Sequence, residues 1–266
     1  MKEGSALSMT AEPRTPLTEP AAVPPESTPQ RPAYRLRYRR IGPAIWLAHL
    51  DMMRTFERAV RRAGWPIAWS GGYNPRPQMT FALPISVGLA TEDDYFDVVM
   101  ETACEPLWLM RRLNDSLPQG LSVTACGRLP ADKVERSLMS RVIAAEYRLT
   151  HPELPAAWQA VSRLSADQSL VVDKHSKGKI RQLDIRPLLL DVAIGQPDSL
   201  LIRVEAGSRS NLRPDLLLQA LVRYGGLQEQ SAADSEMTRV RLWLRPADPS
   251  EPPISPLDDL PELVEW

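Results

Sequence analysis

Proline sets the first limit on what this chain can fold into. Twelve of its 26 prolines fall in two terminal stretches, residues 1–33 and 247–266. Proline fixes φ and has no backbone donor, so such stretches suit neither helix interiors nor central strands. A folded body is therefore expected between about residues 33 and 246, with a disordered Pro-rich tail over 1–32 and an acidic Pro-rich tail over 247–266. The second tail is read as mostly extended and solvated, with Leu260 to Trp266 able to dock on a partner or on the body. Charge divides the same way. The chain carries −1 in all, residues 1–33 net −1, and residues 247–266 hold six acids and no base. The body is left at +6.

Composition excludes several classes. The 43% hydrophobic and 24% charged content is that of a soluble globular protein. No apolar run approaches the roughly 20 residues that span a bilayer, and the N-terminal stretch has no apolar signal core. A cytoplasmic protein is expected. Cys104 and Cys126 are the only cysteines. They are too few to ligate an iron–sulfur cluster or a paired CxxC zinc site. No metal site is expected.

Periodicity divides the body into two similar halves. Tyr34 to Tyr38 alternates arginine with apolar residues, a strand pattern. Leu47 to Ala63 follows at helical spacing, closed by Gly64 with Pro66 beyond. Short strands are expected near Ile67–Trp69, Met79–Ala82 and Tyr95–Met100. A helix from Pro106 to Leu117 and a strand over Leu121–Cys126 complete a β-α-β-β-α-β order over residues 33–135. Residues 136–246 repeat it with strands at Glu146–Thr150, Leu170–Asp173, Asp191–Ile194, Leu200–Val204 and Val240–Leu244, and helices at Leu154–Leu164 and Pro214–Tyr224. The fold class is α+β, two ferredoxin-like halves in tandem.

Four constellations could carry function. Between Tyr34 and Gly64 there are eight arginines against Asp51 and Glu57. Arg54, Arg58 and Arg61 share one helix face, beside Arg62, and guanidinium groups suit phosphate and stacked bases. A solvated face held by pairs such as Glu57–Arg61 is the plainer alternative. His49 and Asp51 open that helix and could form an acid/base couple or contact substrate. Asp51 equally suits the positive end of the helix dipole. In Ser70-Gly71-Gly72-Tyr73-Asn74-Pro75-Arg76-Pro77, two glycines and Asn-Pro-x-Pro would present Tyr73, Asn74 and Arg76. Those three groups can stack on and hydrogen-bond a base. A basic loop with Lys177, Lys179 and Arg181, read as a hairpin or crossover, could bind an anion. No Walker loop, dinucleotide fingerprint or serine triad is present.

These residues resemble a known family. His49-Leu50-Asp51, Arg54, Glu57-Arg58-Ala59, Arg61 to Gly64, Gly72 to Pro77, Phe81-Ala82, Leu83 to Leu89 and Asp94 to Asp97 fit the pattern of a radical-SAM-associated family of unknown function. Lys179, Arg181 and Asp184-Ile185-Arg186-Pro187 fit it in the second half, so the resemblance covers roughly residues 34–245. Ala48 stands where a capping Ser is usual, Tyr73 replaces Phe, and Arg76 stands where His is common. The family's domain also occurs fused to the C-terminus of B12-binding-type radical SAM proteins. Its genes often lie near those for an RNase E/G-type nuclease and ribosomal proteins.

The resemblance implies a non-catalytic partner of a radical SAM enzyme, with iron–sulfur cluster and SAM on that partner and no cofactor on this chain. The basic body adds an expectation of RNA binding in tRNA or rRNA modification or ribosome-related metabolism. Arg54, Arg58, Arg61, Arg62, Tyr73, Asn74, Arg76, Lys177, Lys179 and Arg181 are the expected contacts. Two alternatives remain: a docking module for the enzyme that meets no nucleic acid, and an enzyme or RNA-processing factor using His49 and Asp51.

Overall fold

Tyr34, Leu36 and Tyr38 alternate inward along β1 (Ala33–Arg40), and the inward stripe of α1 (His49–Arg62), made of Met52, Phe56, Ala59 and Val60, packs on them. The computed structural model describes residues 31–130, 137–165, 168–176, 178–258 and 260–266. β2 (Met79–Phe81), β3 (Ala90–Val99), α2 (Pro106–Asn114) and β4 (Leu121–Arg128) complete the first half. Glu105 caps α2 by accepting from the Leu107 and Trp108 amides, and Pro106 occupies a position whose N–H would go unused. α1 has no side-chain cap, since Ala48 stands at its start. The strand order is β4-β1-β3-β2, every pairing antiparallel.

The second half begins with a single helical turn, α3 (Leu138–Arg141), and β5 (Val142–Thr150), followed by α4 (Leu154–Ser162). A separate hairpin, β6 (Val171–Ser176) and β7 (Lys179–Asp184), precedes β8 (Leu189–Gly195), β9 (Ser199–Glu205), α5 (Pro214–Gly225), α6 (Glu229–Asp234) and β10 (Glu236–Leu244). Its main strands run β10-β5-β9-β8, the same relative order as in the first half. The two sets fuse where β10 pairs in parallel with β3 through Thr238–Ala90 and Arg239–Thr91. One mixed, mostly antiparallel sheet thus runs through residues 31–266, which form one compact unit. Six α-helices occur among the described residues, and none is long and apolar enough to cross a membrane. Tyr38, Phe56, Phe81 and Phe96 centre the first core with ring centroids 5.0–5.9 Å apart.

Two local expectations are corrected. The helix starts at His49, because Pro43 seeds a 3-10 turn over Gly42–Trp46 instead. Ile67–Trp69 forms no strand: Pro66 and Pro77 leave only single bridges, Ile67 to Met100 and Trp69 to Pro77. The basic loop is the β6–β7 hairpin, whose turn includes Gly178 at φ 72°.

The larger correction concerns the acidic C-terminus, which is a strap rather than a solvated tail. Ile254 exchanges backbone hydrogen bonds with Leu244 at 2.9 and 3.1 Å. Leu257 and Leu260 then pack with Ala33, Val99 and Leu129. Finally β11 (Leu263–Glu265) adds to the edge of β4, and Glu265 pairs with Arg37 at 3.0 Å. The residues between the prolines keep their donors, as Ile254 does after the adjacent Pro252 and Pro253, and the two leucines supply apolar area enough to dock the segment. Gly127 makes the crossing possible. A Cβ there would lie 2.6 Å from the Glu262 carbonyl oxygen and 2.8 Å from Leu260 Cδ1. Of the N-terminal tail expected over 1–32, residues 1–30 lie outside the described residues, whereas Arg31 pairs with Glu101 at 3.0 Å and the Pro32 carbonyl accepts from the Met100 amide at 2.8 Å.

Candidate functional site

The outward face of α1 carries the expected arginines. Arg54, Arg58, Arg61 and Arg62 are all exposed. Arg54 meets Asp51 at 3.4 Å, Arg58 donates to Thr55 Oγ1 at 3.2 Å, and Arg62 donates to the Ser116 carbonyl at 2.7 Å. Arg61 lies 4.8 Å from the ring centroid of Trp69, at the base of the glycine loop. That stacking joins the helix face to the loop. The loop is closed where Ser70 N donates to the Arg76 carbonyl (2.8 Å) and Arg76 N donates to Ser70 Oγ (3.0 Å). Tyr73, Asn74 and Arg76 project from it, and Tyr73 is fully exposed at 102%. Trp69, which sequence reasoning did not single out, is the hinge of this surface.

The four β1 arginines among the eight are not on the α1 face: two of them are buried, and Arg37 is bonded to Thr124 Oγ1 (2.9 Å) and Glu265 (3.0 Å). Arg35 is buried under the strap, bonded to both Asp97 oxygens (2.8 and 2.9 Å) and to the Pro256 carbonyl (3.0 Å). Arg40 is buried among carbonyls of Ala44, Ile45 and Ser86. Lys179 and Arg181 stand on β7, opposite Ser176 and Lys174, in a sheet separate from the one that carries α1. Tyr224 and Arg223 of α5 hold that hairpin at Val171. Lys177 lies outside the described residues.

His49 and Asp51 do not form a couple. Asp51 is exposed and pairs with Arg54, whereas the His49 ring packs edge-on against Phe81 at 6.1 Å. His49 instead borders a polar cluster at the seam between the halves. Asp94, fully buried, accepts from Tyr38 Oη (3.0 Å), from the Tyr95 amide (2.9 Å) and from Arg239 of β10. Arg239 also donates to the Leu83 and Pro84 carbonyls, at 3.5 and 3.4 Å. Burial works most strongly against its charge, but the Asp94 carboxylate together with Tyr147 and Tyr38 outweighs that and holds the guanidinium above its ordinary value. Burial and the Asp94 charge push the Tyr38 phenol well up, and burial chiefly pushes Tyr147 up beside Arg239. Burial lowers His49, Asp94 opposes this, and Arg239 and Arg40 add to it.

Three buried nitrogens here, His49 Nδ1, Arg40 Nη1 and Arg239 Nε, have no protein partner. Tyr38, Arg40, Asp94, Tyr147 and Arg239 escaped sequence reasoning. The available signal was a charged residue at an inward position of an alternating strand, as Arg40 is after Tyr34, Leu36 and Tyr38. Among the described residues no group of three His, Cys, Asp or Glu side chains could hold a metal ion.

Comparison with known proteins gives one assignment. No curated protein matches the chain. The matching family model spans residues 33–214 and ends at the first residue of α5, before the strand that supplies Arg239. The chain therefore belongs to the family described as "Uncharacterized protein conserved in bacteria (DUF2344)".

Proposed function

We propose that this chain is an RNA-binding accessory protein that works beside a radical SAM enzyme. The observation that carries the RNA contact is the stacking of Arg61 on Trp69, which makes one surface of the α1 arginines and the exposed Tyr73-Asn74-Arg76 tip. Guanidinium groups there would meet phosphates, and an exposed phenol beside an amide suits an unpaired base. The radical SAM partner rests on the residue resemblance across both halves. Only two cysteines are present, one of them buried, so cluster and SAM are assigned to the partner. The recurring strand order supports reading each half as ferredoxin-like.

The test is recovery of the tagged protein from its own cells with and without RNase. Co-recovery of a radical SAM protein and a defined RNA class supports the proposal. Recovery of the enzyme with no RNA, before nuclease treatment as well as after, refutes RNA presentation and leaves a docking module.

One observation favours an enzyme instead: the unpartnered His49 Nδ1 beside Asp94 and Arg239. Turnover by the isolated protein, abolished in His49→Ala with the fold intact, would establish that role.

A further inference from the structure

A second basic surface lies on the other side of the sheet. In β9, Ile202 and Val204 are fully buried and Arg203 between them is exposed; in β10, the fully buried Leu242 and Leu244 flank a half-buried Trp243. Arg203 and Trp243 therefore sit on the face opposite the buried core, and they floor an open groove of about 1340 Å3. One wall is the loop after β9, carrying Arg209. Gly207 pins that loop: its φ is 128°, and a Cβ would lie 2.2 Å from the Val142 carbonyl oxygen. The other wall is the start of the C-terminal strap, stiffened by Pro246, Pro249, Pro252 and Pro253. At one end the Arg245 amide donates to the Arg141 carbonyl at 2.8 Å, and both residues line the groove.

Charge and shape both select an occupant. Four arginines line the groove against Glu205 and Glu251. Arg203 shares its charge with Asp191 only at 3.9 Å. The Trp243 indole is fixed by its Nε1 donating to Glu146 at 3.0 Å, and the Arg241 guanidinium lies 5.2 Å from its ring centroid. That pair is a rigid flat platform in a positive channel, the arrangement that binds single strands by stacking and backbone charge. The volume exceeds the roughly 300–1,000 Å3 of small-molecule pockets, and the groove is open, so it suits an extended polymer. An open four-stranded sheet face that stacks unpaired bases is an established way to hold RNA.

We propose that this groove binds single-stranded RNA, with phosphates on Arg203, Arg209 and Arg245 and a base on the Trp243–Arg241 platform. It is a second contact surface, separate from α1 and its loop, and shares with the function proposed above only the class of polymer.

The experiment is fluorescence anisotropy of the full chain with a labelled single-stranded RNA 12-mer across a salt series, with crosslinking of the same RNA carrying 4-thiouridine. Arg209→Ala/Arg245→Ala removes exposed groups and leaves the fold intact, as checked by circular dichroism. Its affinity should fall about tenfold or more, and the slope of log K against log salt should shrink by about 1.4, at about 0.7 per phosphate contact on a single strand. Crosslinks should map to the peptide containing Trp243. Arg58→Ala/Arg61→Ala should leave those crosslinks in place, which separates the two surfaces. Unchanged affinity and slope in the groove variant, or crosslinks confined to residues 54–76, would overturn the groove while sparing α1. Competition by polyglutamate as strong as by RNA would also overturn it and reassign the groove to an acidic protein segment.

Discussion

Asp94→Ala should unfold this protein more readily than any surface change, through the charge it leaves behind. Asp94 is fully buried and accepts from three donors, one of them the equally buried Arg239. Arg40, also fully buried, meets only carbonyl oxygens. Removing the one carboxylate strands two guanidinium groups with no counter-charge. Breaking a buried pair from one side costs about 3–5 kcal/mol. At about 2–4 °C per kcal/mol for a unit of this size, Tm should fall by about 6–20 °C. Urea unfolding followed by circular dichroism gives the number. Pairing Asp94→Ala with Arg239→Met closes a cycle. The double variant should cost less than the two singles together by at least about 1 kcal/mol, because it removes both charges. A single-variant cost under 1 kcal/mol, or strict additivity, would refute the seam as a coupled charge cluster.

Other outcomes follow from the same structure. Deleting residues 247–266 should lower stability by at least about 2 kcal/mol and raise dye binding to apolar surface, since Leu257 and Leu260 leave Ala33 and Leu129 bare; an unchanged melting curve would show that the strap is incidental. Gly127→Val should reproduce much of that loss, because the added atoms would meet Leu260 and the Glu262 carbonyl. His49 is held neutral by burial, so its unfolded form binds the proton first. Stability should therefore decline as pH falls below about 6.5, and a urea series at pH 5 and 7.5 should show the decline shrinking in His49→Asn. Of the two thiols, Cys126 is fully buried and raised by burial, and Cys104 is partly exposed and less raised. A native thiol titration at pH 8 should count one slowly reacting group, and two after denaturation.

Much of the first half was legible because its local rules agree. Alternation in Tyr34–Tyr38, helical spacing from Met52 to Val60 and a proline at the start of α2 each point to the observed element. The segment from Leu260 was open to docking, but the strap before it was read as solvated because counting prolines weighs what a segment cannot do and passes over Ile254 and Leu257, which tie it down. The α1 arginines were visible as a face, but their union with the loop runs through Trp69, which the sequence places only at the end of a short expected strand. The seam was hidden for a different reason. Asp94 and Arg239 stand 145 residues apart, and nothing local to either one names its partner.

That separation has a consequence for how the chain is made. Synthesis delivers the N-terminus first, and domains tend to fold as they emerge. All of β1 to β4 is out of the ribosome before β10 exists, so the nascent first half must close its core around an Asp94 without Arg239 and an Arg35 without the Pro256 carbonyl. Both groups are completed only by β10 and the strap, translated more than a hundred residues after β3. β10 and the strap thus act as a completeness check on the first half: a chain stalled or cleaved before β10 leaves Asp94 without its hydrogen-bonded guanidinium and the start of β3 without its partner strand.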